Sequence, residues 1–166
     1  MSKVLMEAFL LWSKAYRAAT SWRYAKYEKA LMRLKSQHNP NEYKMLWEKT
    51  GKLIQYKEDK VNVIQSLGET WKKKVSDCNG FAYIASATLG VLIIDGGEEY
   101  IFDGIYCGTS FKVGHYVAIW KCEESNKTIY VDNRELGKGF AWQDGIFCYP
   151  YVFRLNSSLK ILEQVK

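Results

Sequence analysis

Hydrophobic periodicity changes once along this chain, close to Gly90, and the change sets the fold class. Before it, Leu5, Phe9, Trp12, Tyr16, Ala19, Arg23, Tyr27, Leu31 and Leu34 recur three or four apart among Lys, Arg and Glu. That is the spacing of one helical face. "HNPNEY" then supplies a helix start, with Asn39 as cap, Pro40 in the first turn and Glu42 three residues after the cap. A second amphipathic helix is expected through Tyr43, Leu46, Trp47, Leu53 or Ile54, and on toward Val61 and Ile64. Two helices and a short loop make an antiparallel hairpin. A break is expected at Gly68, then a short helix around Trp71, then a helix from Cys78 to Leu89 between an Asp77 cap and a closing Gly90. From Val91 onward "VLIID", "EYIFDGIYC", "HYVAIWKC", "KTIYVDN", "IFCYPYVFRL" and "LKILEQV" are β-branched or aromatic runs bounded by turn residues. A buried helix followed by an antiparallel sheet is an α+β layout.

The chain has 166 residues, 48% of them hydrophobic and 25% charged, which suits one globular core and excludes disorder. Charge divides unevenly. Residues 1–75 hold 16 Lys and Arg against 7 Asp and Glu, a net +9; residues 76–166 hold 8 against 11, a net −3. This asymmetry suggests two units, a basic helical arm over 1–68 and a core over 69–166. "MSKVLMEAFLLW" is interrupted by Glu7 and lacks a small-residue cleavage site, so it does not read as a signal peptide. No run reaches the ~18 apolar residues of a membrane span. A cytoplasmic location is the expectation.

Cys78, Cys107, Cys122 and Cys148 form no CxxC pair, and the only histidines are His38 and His115, so no metal or cofactor site is expected. Three of the four thiols suit buried small hydrophobes. Cys78 is different, because it follows a helix cap, where the helix dipole lowers a thiol pKa. His38 lies in the polar inter-helix loop. His115 opens the strand "HYVAIWKC", and Asp132 closes "TIYVD" on the next strand. If the hairpin turns near Ser125, facing residues have numbers summing to about 247–251, so His115 and Asp132 come within a residue or two of each other. A nucleophile, a base and a carboxylate that orients the base are the elements of a catalytic triad.

"DCNGFAYIASATLG", then "GHYVAIW", then "IYVDN" followed by "FAW" resembles the transglutaminase-like cysteine peptidase superfamily, in its bacterial or phage form. The resemblance covers residues 71–155. It implies a papain-like core in which Cys78 is the nucleophile, His115 the base and Asp132 the orienting carboxylate, acting on protein or peptide amides through a thioester. Asn79 and Gly80 after the cysteine depart from the family's more acidic pattern, so they leave the substrate open. "DCNGFA" also looks like the start of NlpC-type cell-wall endopeptidases, but their Pro-Gly-Asp strand and second histidine have no counterpart here. Transamidation or deamidation would use the same triad. Trp71 is a candidate second oxyanion donor or a packing residue.

"SWRYAKYEKALMRLK" interleaves aromatic and basic residues, a pattern that suits single-stranded nucleic acid. Its apolar spacing is helical, and an amphipathic helix with a wet basic face accounts for it better. Lys72, Lys73 and Lys74 read as solvated. The other class of function is a catalytically inactive binding or effector protein that uses these helices.

Overall fold

In the computed structural model, residues 3–36, 54–58, 63–94, 96–110, 114–132, 146 and 149–166 are described. Helix α1 spans Lys3–Ser36, α2 Leu67–Lys73 and α3 Cys78–Thr88. A short parallel pair joins β1 (Gln55–Tyr56) to β2 (Val75–Ser76). The main sheet holds β3 (Leu92–Ile94), β4 (Glu98–Thr109), β5 (Gly114–Lys121), β6 (Thr128–Val131), β7 (Tyr151–Leu155) and β8 (Ile161–Gln164). Its order is β6-β5-β4-β7-β8, with β3 also paired to β4, and every pairing in it is antiparallel. The α+β layout and the change of pattern near Gly90 are therefore present.

Parity along β5 separates two cores. Tyr116, Ala118 and Trp120 face α3 and join Phe81, Ile84, Ile105, Phe153 and Leu155. Val117 and Ile119 face the other side, with Tyr106, Ile146 and Val152. Successive strand residues point to opposite faces, so a sheet covered on both sides reads as the continuous apolar run "YVAIW". Met6, Leu10 and Leu31 of α1 belong to the α3-side core. The described part of residues 1–68 thus shares a core with residues 69–166.

Three expectations are corrected. The second helix does not continue to Ile64, because Gln55–Tyr56 is a strand and 63–66 is non-helical; the rest of that helix, His38 and its cap lie outside the described residues. Gly68 is no break. It lies inside α2, where a Cβ would stand 2.4 Å from the Tyr24 carbonyl oxygen and 3.0 Å from the Glu28 nitrogen. Glycine is there because two helix backbones meet. Finally, α1 buries Met6, Leu10 and Ser13 from outside the expected stripe together with Leu31 from within it; Phe9 of the stripe packs on the core, while Leu5 and Trp12 are each 58% exposed. Across the interface Tyr16 donates to Glu69 Oε1 at 2.9 Å, and Ser13 Oγ accepts from the Ile64 N–H at 3.1 Å.

Candidate active site

Asp77 starts α3 as expected. Its Oδ1 accepts from the N–H groups of Asn79 and Gly80, both at 3.1 Å, and its Oδ2 accepts from the Asn79 side chain at 2.8 Å. These bonds satisfy donors that the first turn cannot pair internally. Gly80 is the third residue of α3, and a Cβ there would stand 2.1 Å from Ser76 Oγ. The turn entering the helix is therefore tightly packed, and Cys78 is held at the first helical position. The far end differs from expectation: Leu89 in extended conformation ends α3, and Gly90 supplies no left-handed cap. The Gly90 carbonyl instead accepts from the Trp120 indole N–H at 2.9 Å.

The hairpin register is the expected one. Ala118, Ile119, Trp120 and Lys121 face Val131, Tyr130, Ile129 and Thr128, each pair summing to 249, about a turn at 123–125. His115 and Asp132 are then diagonal neighbours on one face. His115 Nε2 lies 2.7 Å from Asp132 Oδ2, and both residues are buried, at 6% and 4% exposure. An ionised carboxylate only accepts, so the imidazole proton sits on Nε2 and the lone pair of the neutral ring on Nδ1.

Cys78 approaches from the other side of the strand. Its sulfur lies against the backbone N–H of Tyr116, the residue after His115, and against its own N–H. The Cys78 sulfur and the His115–Asp132 pair therefore both lie by the start of β5, the sulfur on the α3 side of the sheet and the pair on the side of Val117. The Tyr116 side chain ties this point to α1, its hydroxyl donating to the Met6 sulfur at 3.9 Å.

One electrostatic expectation is overturned. The helix N-terminus does not leave Cys78 acidic: burial first, then the Asp77 carboxylate, push its thiol up to about 11, against the pull of the two N–H groups. A charge loses more than a neutral thiol on leaving water, and here that outweighs the dipole. At neutral pH the Cys78 side chain is therefore a thiol rather than a thiolate. Cys107, fully buried, is pushed up to about 12 by the same cause and keeps its packing role. Cys148 lies outside the described residues.

Two neighbours of the site carry no motif. Gly108 on β4 pairs with His115, and a Cβ on it would stand 2.5 Å from the Tyr149 ring and 2.9 Å from Ile146. Tyr149 and Ile146 therefore cover the sheet face that carries the His115–Asp132 pair. A glycine inside the strand "IYCGT" is the sequence signal for such an approach. Trp71 packs on the core with the Lys74 ammonium 2.8 Å from its ring centroid, and partial burial lowers the Lys74 pKa to about 8. Lys73 pairs with Glu69 at 2.6 Å, and Lys72 lies over Tyr24 and Tyr27. The run of three lysines is thus engaged with the chain's own side chains.

Among the described residues no group of three His, Cys, Asp or Glu could hold a metal ion, and no helix is long and apolar enough to cross a membrane. The chain matches no protein-family model, and neither the curated proteins nor the solved structures give a significant match.

Proposed function

We propose that this protein is a cysteine hydrolase of amide bonds, a protease with a papain- or transglutaminase-like core. Cys78 would be its nucleophile, His115 its base and Asp132 the residue that orients the base. The observation that carries this reading is the buried 2.7 Å bond between His115 and Asp132, at the same strand start as the Cys78 sulfur. Because Asp132 holds Nε2, Nδ1 is the nitrogen left to work on the thiol. The raised thiol pKa makes proton transfer part of the attack. Nδ1 takes the thiol proton as sulfur bonds to the amide carbon, and the oxyanion forms near the Cys78 N–H. The C–N bond then breaks, Nδ1 protonates the leaving amine, and a thioester remains. Water, deprotonated by Nδ1, releases the acid and restores the thiol. An amine in place of water would complete a transamidation.

A second reading is a catalytically silent binding protein, favoured by the same burial that keeps Cys78 protonated. One experiment separates the two. The full chain is incubated with a peptide mixture from digested cell protein, with and without hydroxylamine, and new amino termini and hydroxamates are counted by mass spectrometry. Turnover by the wild type that vanishes in Cys78→Ala and in His115→Ala supports the hydrolase. No turnover, together with Cys78 alkylation that His115→Ala leaves unchanged, would sink it.

A further inference from the structure

His115 is held on one flank by Asp132 and flanked on the other by a ring. On the β6 side of β5, the Asp132 Oδ2 accepts from His115 Nε2 at 2.7 Å. On the β4 side, Gly108 is the residue directly opposite His115. Directly paired residues point to the same face, with Cβ atoms about 4.5–5.5 Å apart. Gly108 has no side chain to place there, and the Tyr149 ring takes the position: a Cβ on Gly108 would stand 2.5 Å from its Cδ2 and 2.8 Å from its Cγ. The ring therefore lies where the cross-strand neighbour of His115 would be.

The backbone around Tyr149 fixes the ring in that place. Its N–H donates to the Ile146 carbonyl at 3.4 Å, and Pro150 follows, which biases the preceding residue to extended backbone. Tyr151 then pairs with Thr109, and Val152 with Gly108 itself, as β7 begins. Tyr149 is half-buried, with its outer side toward solvent, whereas His115 and Asp132 beneath this face are buried.

We propose that Tyr149 is a positioning residue for the base: its ring keeps water off the His115–Asp132 bond and so holds the imidazole with Nδ1 as the working nitrogen. The assignment rests on His115 being the base of the proposed hydrolase. A hydrogen bond to a carboxylate is strong where water is excluded and weak where water competes for the same atoms. The ring does this without its hydroxyl, so Tyr149→Phe keeps the role and Tyr149→Ala loses it. Gly108 belongs to the same device, since any side chain on it displaces the ring.

Proton exchange of the imidazole, read by NMR on the full chain with isotope-labelled histidine, tests this without a substrate. The chain has two histidines, so His38→Gln leaves His115 as the sole signal. In that background the Nε2–H should resonate far downfield and exchange slowly, and Asp132→Ala should abolish the signal. Tyr149→Ala should speed its exchange at least roughly tenfold, the effect of about 1.4 kcal/mol of lost protection, while Tyr149→Phe leaves it unchanged. Gly108→Ala should act as Tyr149→Ala does. Gly68→Ala, which strains the α1–α2 contact instead, controls for lost stability and should leave the signal alone. Circular dichroism checks each fold, and Tyr149→Leu, apolar but without the flat ring, should give the same acceleration where alanine unfolds the chain. No downfield signal in the wild type, unchanged exchange in Tyr149→Ala and Gly108→Ala, or equal acceleration by Gly68→Ala would each overturn the proposal. Amide turnover is measured separately, and Tyr149→Ala should lower kcat by roughly 10–100-fold at unchanged KM, as lost orientation does. Faster exchange in Tyr149→Ala, with no turnover by the wild type, would uphold the shield and overturn the hydrolase reading.

Discussion

Gly68→Ala tests how firmly α1 belongs to the core, because local and tertiary effects predict opposite signs. Taken alone, alanine in a helix is better than glycine by about 1 kcal/mol. In the folded protein the new methyl carbon would stand 2.4 Å from the Tyr24 carbonyl oxygen, 3.0 Å from the Glu28 nitrogen and 3.1 Å from Glu28 Cβ. Two of these are backbone atoms of α1, so no rotamer change relieves the clash. The helices must separate by about 1 Å, and overpacking of this kind costs roughly 1–3 kcal/mol or more. Separation also strains the Tyr16–Glu69 bond and the Ser13–Ile64 bond that span the same interface. A net loss of about 2 kcal/mol is expected. With a urea slope of about 2 kcal/mol/M, the unfolding midpoint should fall by about 1 M. Tryptophan fluorescence and far-UV circular dichroism should report the same shift. An unchanged or higher midpoint would mean that propensity won, and that α1 does not pack on α2 through this contact.

Alkaline pH should destabilise the fold through Cys78. Its pKa is raised from 9.0 to about 11, so its stabilisation is full below pH 9 and is lost as pH rises toward 11, a change of about 3 kcal/mol. Urea midpoints at pH 8 and pH 11 should therefore converge more closely in Cys78→Ala than in the wild type, and an equal drop in both would refute the assignment. Native Cys78 should be alkylated by iodoacetamide faster as pH rises through 9 to 11; a plateau reached below pH 8 would show a preformed thiolate instead. Asp77→Ala removes a cap, costing about 1 kcal/mol, and also removes a charge that raises the thiol pKa. The variant should be less stable yet alkylate faster at pH 8, and slower alkylation would contradict the electrostatics. Asp132→Ala leaves the buried His115 Nε2–H without its acceptor and should cost about 1–3 kcal/mol in a urea titration. Asp132→Asn should keep the fold while lowering any amide turnover by roughly 10²–10⁴-fold, and undiminished turnover would remove Asp132 from the mechanism.

The site was more legible in the sequence than the helical half. Asp77, Cys78 and a run of small apolar residues predict a capped, buried helix because capping and burial patterns are local. His115 and Asp132 are seventeen residues apart with one tight turn between them, so strand parity and turn position were enough to bring them together. Tyr149 and Ile146 could not be found the same way. They come from a different part of the chain, and only Gly108, an odd residue inside a strand, marks where they pack. Gly68 was misread for a related reason. Glycine serves both as a helix breaker and as a point of close backbone contact, and its neighbours in sequence do not distinguish the two.

The amino-acid sequence by itself determined the change from helix to strand near Gly90, the Asp77 cap and the β5–β6 register. Each rests on propensities and spacings within about twenty residues. Tertiary structure alone decided which face of α1 is buried, because residues 4–25 are apolar on two sides and periodicity does not rank them. It also decided the charge state of Cys78. The local signal, a helix N-terminus, favours a thiolate; desolvation by the surrounding core outweighs that signal and keeps the thiol protonated.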